Sequence, residues 1–278
     1  MYCAAWFAVR AAGQHSSPVN MKISIITSVF NAVDTVEETI LSVANQNHSD
    51  VEHIVVDGAS TDGTLDVVEK YRTRLAWFVS EPDRGVYDGM NKGLRLATGD
   101  VIGFLNADDV YAHEGVLHRV AEVMSNPQID ACYADLVYVD KDDSQRIVRY
   151  WKSQPYEEGL FLKGWMPAHP TFFVRRSVYE RFGGFDLSYP RQSDFELTMR
   201  FLHVHKIRAV YIPEIFVRMR TGGLSNSSWR GVLKGNLEAY RAFKKYVTGA
   251  TPFFIFRKIL TRLPQFFSKS PKMKTGSR

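Results

Sequence analysis

Between residues 22 and 105, short apolar runs alternate with amphipathic segments, each about the length of one strand or one helix. Residues 23–30 read as a buried strand and 35–46 as a helix with Val36, Ile40 and Val43 on its apolar face. Residues 53–56 form a second strand, and Asp62-Gly-Thr-Leu opens a second helix. Residues 75–79, 86–97 and 101–105 repeat the pattern as strand, helix and strand. Strands separated by crossover helices build a parallel sheet with helices on its faces. Such sheets bind ligands beyond the carboxyl ends of their strands. The residues that follow each strand are therefore the ones to interrogate.

Beyond residue 114 the rhythm loosens. A helix over 114–125 leads to a strand over 131–139 and then to a Trp/Pro-rich stretch. A strand over 171–174, a helix over 177–182 closed by Gly183-Gly184, a helix over 193–205, and strands over 207–212 and 215–219 follow. The expected organisation is an N-terminal extension over 1–20, one α/β domain over 21–226, and C-terminal helices with a basic aromatic tail over 227–278. Met21 directly precedes the first strand and stands as a second candidate start.

Charge and cysteine content narrow the function classes. The formal net charge is +5, yet residues 251–278 carry seven basic residues and no acid, which leaves 5 − 7 = −2 for the rest. A body of that charge gives no electrostatic footprint for nucleic acid. The tail interleaves its cations with Phe253, Phe254, Phe256, Phe266 and Phe267, a composition suited either to an anionic membrane surface or to ordinary packing of one aromatic face. No apolar run is long enough to span a bilayer. Two cysteines, Cys3 and Cys132, make neither a disulfide framework nor a zinc site, so a reducing, cytoplasmic setting is the default, at the inner membrane face if the tail anchors there.

Acids and amides gather at the strand ends: Ser28-Val-Phe-Asn31, then Asp57-Gly-Ala-Ser-Thr-Asp-Gly-Thr64, then the segment 81–93, then Asn106-Ala-Asp-Asp109. A carboxylate such as Asp57 can accept from an N–H of a flat heterocycle, and Phe30 and Arg84 can sandwich that ring by stacking and cation–π contact. No phosphate-cradling glycine loop follows the first strand. Phosphate charge must then be met otherwise, most simply by a divalent ion, and Asp108 offers the hard oxygen that Mg2+ or Mn2+ prefers. Asp109 reads as the N-cap of the following helix. Ser193-Asp194-Phe-Glu reads as a helix start with Asp194 capping it. The segment Arg218-Met-Arg-Thr-Gly-Gly-Leu-Ser225 is either a loop that folds over a diphosphate or a solvated connection.

The motifs Ser24-Ile-Ile-Thr-Ser-Val-Phe-Asn31, Val56-Asp-Gly-Ala-Ser-Thr-Asp-Gly-Thr64, Asp83-Arg-Gly-Val-Tyr-Asp-Gly-Met-Asn-Lys-Gly93 and Phe104-Leu-Asn-Ala-Asp-Asp109 follow one another along the chain. His169-Pro-Thr-Phe-Phe-Val-Arg-Arg176, Gly183-Gly-Phe-Asp186, Asp194 and Gly222-Gly-Leu-Ser225 follow them. Together they resemble family 2 glycosyltransferases over residues 21–226, in particular those that build colanic-acid-type polysaccharides and mycobacterial glycolipids. The resemblance implies a GT-A fold: a Rossmann-like, mostly parallel sheet flanked by helices, with a C-terminal helical extension. It also implies inverting transfer from a nucleotide-sugar, with UDP favoured, to a glycan or lipid-linked hydroxyl.

Residue by residue, the resemblance implies that Ser28, Phe30 and Asn31 contact the donor base, that Asp57 reads it, and that Asp83 and Arg84 form the second wall. Asn106-Ala107-Asp108 falls on the D-x-D motif, with Asp108 holding the metal and Asn106, in place of the first Asp, bonding to ribose. Asp194 matches the general base. His169, Arg220, Gly222 and Gly223 fall on the acceptor or diphosphate side. Direct displacement needs no enzyme nucleophile. Two rival classes are a nucleotidyltransferase making an activated sugar, which usually carries a Gly-rich basic loop that this chain lacks, and a non-catalytic nucleotide-sugar-binding module.

Overall fold

The structure is a computed structural model that describes residues 21–143, 145–222 and 229–261. The extension 1–20, Gly223 and the tail beyond residue 261 lie outside the described residues. Nine strands form one sheet in the order β3-β2-β1-β4-β8-β6-β9-β5, with β7 paired to β6 off that path.

β1 (Ile23–Val29) pairs in parallel with β2 (Val51–Asp57) and β4 (Val101–Phe104), and β2 pairs in parallel with β3 (Trp77–Ser80). β8 (Phe173–Arg175) runs antiparallel to both β4 and β6 (Ala131–Val139), so β6 keeps the direction of β1. β9 (Ala209–Arg220) is parallel to β6, whereas β5 (Val110–Tyr111) and β7 (Ile147–Trp151) run against their neighbours. Six strands therefore share one direction and three oppose it.

Helices cover both faces, which is why β1 is buried along its whole length instead of alternating. Ile26, Ile54, Ile102 and Phe104 pack on one side with α3 (Val86–Leu96), α5 (Arg176–Phe182) and α6 (Ser193–Met199). Ile23, Ile25 and Val101 pack on the other with α4 (Val116–Met124), and Val29 and Val55 with α1 (Val36–Ala44) and α2 (Thr64–Lys70). Two C-terminal helices, α7 (Trp229–Tyr246) and α8 (Phe253–Leu260), add Ala239, Phe243 and Phe254 to the first side.

Three sequence expectations change. The two late strands are one, β9, because Pro213 sits where the β6–β9 register shifts and the strand continues past it. The Trp/Pro-rich stretch contains the edge strand β7. The helix over 193–205 is α6 continued by a wider π turn over Arg200–Val204.

Candidate functional site

The carboxyl ends of β1 and β2 carry two loops that are tied together. Asn31, with a left-handed φ of 47°, accepts from the Thr61 N–H through Oδ1 at 2.9 Å, and its own N–H donates to Ser60 Oγ at 2.8 Å. The Ala32 N–H donates to Thr64 Oγ1 at 2.8 Å and the Val33 N–H to Asp62 Oδ2 at 3.1 Å. Ala59 is also left-handed, at φ 65°. Non-glycine residues in that region mark backbone that its surroundings hold under strain, typically at ligand sites.

Asp57 lies at the bottom of these loops, fully buried. Its Oδ2 accepts from the Ser60 N–H at 2.9 Å and from Ser80 Oγ at 2.7 Å, while Oδ1 accepts from Ser60 Oγ. Three of the roughly four acceptor positions of the carboxylate are thus filled by the chain itself. Phe30, in contrast, is 58% exposed at the end of β1. Arg84 is also largely exposed, its guanidinium tethered 3.3 Å from Asp88, which holds that carboxyl below its usual range. Ser28 and Asp83 meet across two glycines: a Cβ on Gly89 would fall 2.3 Å from Ser28 Oγ, and one on Gly58 would fall 2.8 Å from Asp83 Oδ2. A side chain at either glycine would displace Ser28 or Asp83 from these positions.

Beyond β4 the expected N-cap role of Asp109 is overturned. β5 intervenes before α4, whose N-cap is Gly115, and Asp109 is instead fully buried. Its Oδ2 accepts from Asn106 Nδ2 at 2.8 Å, and its Oδ1 has no partner. Burial, and then the neighbouring charge of Asp108, push Asp109 well above the usual carboxylate range. Burial also raises Asp108, and the charge of Arg220 works against that rise. Arg220 itself is held by Glu38 and by the Lys141 carbonyl at 3.2 Å.

Arg218–Arg220 are therefore not a loop. They end β9, in register with residues 137–139 of β6, and the turn begins at Thr221 and Gly222, where φ is 108°. Among the described residues no group of three or more His, Cys, Asp and Glu side chains assembles. Two adjacent acids with an orphaned buried oxygen nevertheless fit a hard divalent ion that completes its shell with waters and ligand phosphates.

Asp194 stands in the first turn of α6, and Gln192, not Asp194, is the N-cap. Its Oδ1 accepts from the Tyr87 hydroxyl at 3.0 Å and from the Phe195 N–H at 2.8 Å; no described residue donates to Oδ2. Burial, and then the Asp194 charge, raise the Tyr87 phenol well above its ordinary value, so it remains a donor. His169 is buried with neither ring nitrogen partnered. Burial lowers its pKa and the charge of Asp194 opposes that, which leaves a neutral imidazole at pH 7.

Phe185 joins these parts. Its ring lies 5.1 Å from Phe104, 5.2 Å from Tyr87 and 5.5 Å from His169. The end of β4, the start of α3 and the segment bearing Asp194 thus converge on one aromatic cluster. Buried polar atoms without partners are uncommon in folded proteins, and Asp109 and His169 supply three of them here. Sequence reasoning assigned no role to Tyr87, Phe185 or Glu38; the first two stand inside quoted motifs, which was the available signal.

The family model "Glycosyl transferase family 2" matches residues 24–183. A PGL/p-HBAD biosynthesis glycosyltransferase of Mycobacterium tuberculosis is 30% identical over 208 residues, covering 73% of this chain and 79% of the relative. An uncharacterised glycosyltransferase of the same species is 31% identical over 180 residues, covering 64% and 68%. Among solved structures, a mannosyltransferase from Pyrobaculum calidifontis in complex with GDP-Man and Mn2+ aligns with a TM-score of 0.63 at 20% identity over 94% of this chain and 79% of its own. Staphylococcus aureus TarS in complex with UDP aligns with a TM-score of 0.59 at 19% identity over 90% and 73%. The architecture is the GT-A fold that the sequence motifs implied.

Proposed function

The chain belongs to glycosyl transferase family 2, and we propose that it is an inverting hexosyltransferase moving a sugar from a nucleoside-diphosphate sugar to a hydroxyl of a glycan or lipid-linked acceptor. UDP is the favoured nucleotide. One observation carries the reading: the strand β4 that leads to half-buried Asp108 and fully buried Asp109, and the Tyr87 that holds Asp194, meet at one ring cluster of Phe104, His169 and Phe185. Structural neighbours bound to UDP and to GDP-Man with Mn2+ support it.

On the donor side, exposed Phe30 and Arg84 flank the base, and Asp57 accepts from it with its remaining lone pair. Ser28, Asn31 and Asp83 line the same loops, and Asn106 presents its amide beside the acids. Asp108, with Asp109 behind it, holds a divalent cation, Mn2+ or Mg2+, which when bound neutralises charge on the departing diphosphate. Arg220 adds a fixed positive charge on that side, and Gly222 lets the chain turn there.

On the acceptor side, Asp194 takes the hydroxyl proton through Oδ2 while Tyr87 fixes Oδ1, a contribution of typically ~10²–10⁴-fold. Neutral, unpartnered His169 orients the acceptor. No helix among the described residues is long and apolar enough to cross a membrane, and we place the protein on the inner face of the cytoplasmic membrane through its basic aromatic C-terminus.

Calorimetry of a nucleoside diphosphate with manganese tests the donor half. Asp108→Ala should abolish the manganese-dependent part of the affinity; unchanged affinity would remove the assignment.

A further inference from the structure

The C-terminal helices pack on the domain through Ala239, Phe243 and Phe254, and their inner face does something more specific. Every residue of the segment 191–196 except Ser193 and Asp194 is gripped by α7 or α8. The Arg191 N–H donates to Glu238 Oε2 at 2.8 Å. Lys258, only 1% exposed, donates to Gln192 Oε1 at 2.6 Å, and its ammonium stands 5.0 Å from the centre of the Phe195 ring. Phe195 also meets Phe254 at 5.8 Å. Fully buried Glu196 accepts from Lys245 at 3.4 Å and from the Tyr246 hydroxyl. Asp194 is thus held on both flanks by an extension that follows it by more than thirty residues.

The outer face of the same helices is apolar and basic. Phe253, Phe256, Ile259 and Leu260 of α8 are 55%, 52%, 47% and 43% exposed, and Leu233 and Leu237 of α7 are 52% and 53% exposed. In α8, Phe253, Phe256 and Leu260 recur at helical spacing and form one stripe. Residues 229–261 contain seven basic residues and one acid, a net 7 − 1 = +6. Of these, Lys258 and Lys245 are bonded to Gln192 and Glu196, while Lys234, Lys244 and Arg257 are exposed; an anionic lipid surface complements those cations and the aromatic rings, which a second copy of the same face would not.

We propose that α7 and α8 form a coupling element: their outer face docks on anionic lipid, and their inner face, through Lys258, Glu238 and Lys245, sets the position of Asp194. Lys258 is then a positioning residue. Docking orders the segment 191–196, so the base is fixed where a membrane-borne acceptor is met. This rests on the assignment of Asp194 as base and on the membrane contact of the C-terminus.

Hydrogen exchange of the full chain tests it, with vesicles of phosphatidylglycerol and phosphatidylcholine compared against phosphatidylcholine alone. The anionic vesicles should pellet the protein and slow amide exchange over residues 191–196 about tenfold, with neutral vesicles doing neither. Phe253→Ser with Phe256→Ser, a surface change, should lose both effects. Lys258→Met should still pellet yet lose the vesicle-dependent protection, which a merely structural lysine would not produce. Failure to pellet with either vesicle, or pelleting with unchanged exchange over 191–196, overturns the proposal. Asp194→Asn separates it from the base assignment: wild-type transfer by that variant removes the base role, while vesicle-dependent protection in it upholds the coupling.

Discussion

Glu52 and Asp109 are both buried acids of the same sheet, one near the amino end of β2 and the other just beyond the carboxyl end of β4, and their surroundings differ in kind. Burial works against the charge of Glu52, but hydrogen bonds from Ser24, Thr98 and Lys22 outweigh it and bring its pKa down to about 2. The Thr98 N–H and hydroxyl each donate at 2.8 Å and Lys22 at 3.0 Å. Asp109 has the Asn106 amide at 2.8 Å and a contact from the Arg220 backbone, but also an orphaned oxygen and a like charge beside it. The amino end is a finished structural network. The carboxyl end is left unsatisfied, and that is what a site for a charged ligand requires.

Variants at the two ends should therefore separate turnover from stability. The largest effect is expected at Asp194→Asn: transfer should fall by about 10²–10⁴-fold with nucleotide affinity and melting temperature retained, as steady-state kinetics, calorimetry and thermal unfolding would register. A matching drop in melting temperature would blur the contrast. Next, Glu52→Gln should lower stability by about 1–3 kcal/mol in urea unfolding, because it weakens charge-assisted hydrogen bonds in a buried network. Its turnover per folded molecule should equal that of the wild type.

A third test uses pH. His53 sits on β2, bonded to Thr27 at 3.0 Å, and burial lowers its pKa to about 3. The unfolded chain therefore binds a proton that the folded chain excludes. The stability this represents is complete above about pH 6.5 and drains away as pH falls towards 3, on the order of 2 kcal/mol between pH 7 and 4.5. His53→Gln should flatten that part of the urea-unfolding profile. The smallest effect is expected at Asp109→Asn, which removes a repelled, half-satisfied carboxylate. It should stabilise the fold by about 1 kcal/mol, or roughly 2–4 °C, while weakening manganese-dependent nucleotide binding.

What was legible in the sequence follows the same division. The strands β1, β2 and β4 and the residues at their ends are local in the chain: periodicity gives the strand, and the next few residues give the loop. Asp57, Phe30 and Asp108 are nominated on that local pattern alone. Asp109 was misjudged because its environment is made by β5, whose two residues pair with Arg218 and Val217 over a hundred positions later. Arg220 was read as loop for the same reason, since only its pairing with Val139 makes it strand. Tyr87 and Asp194 are 107 residues apart, and no local pattern announces their hydrogen bond. The grip of α7 and α8 on residues 191–196 is likewise tertiary.

The four hydrogen bonds that lace residues 31–33 to residues 60–64 have a consequence for evolution and for engineering. Neither loop can be lengthened, shortened or transplanted alone without orphaning backbone N–H groups on its partner. The two form a single structural cassette, so any exchange with a relative must carry both segments at once.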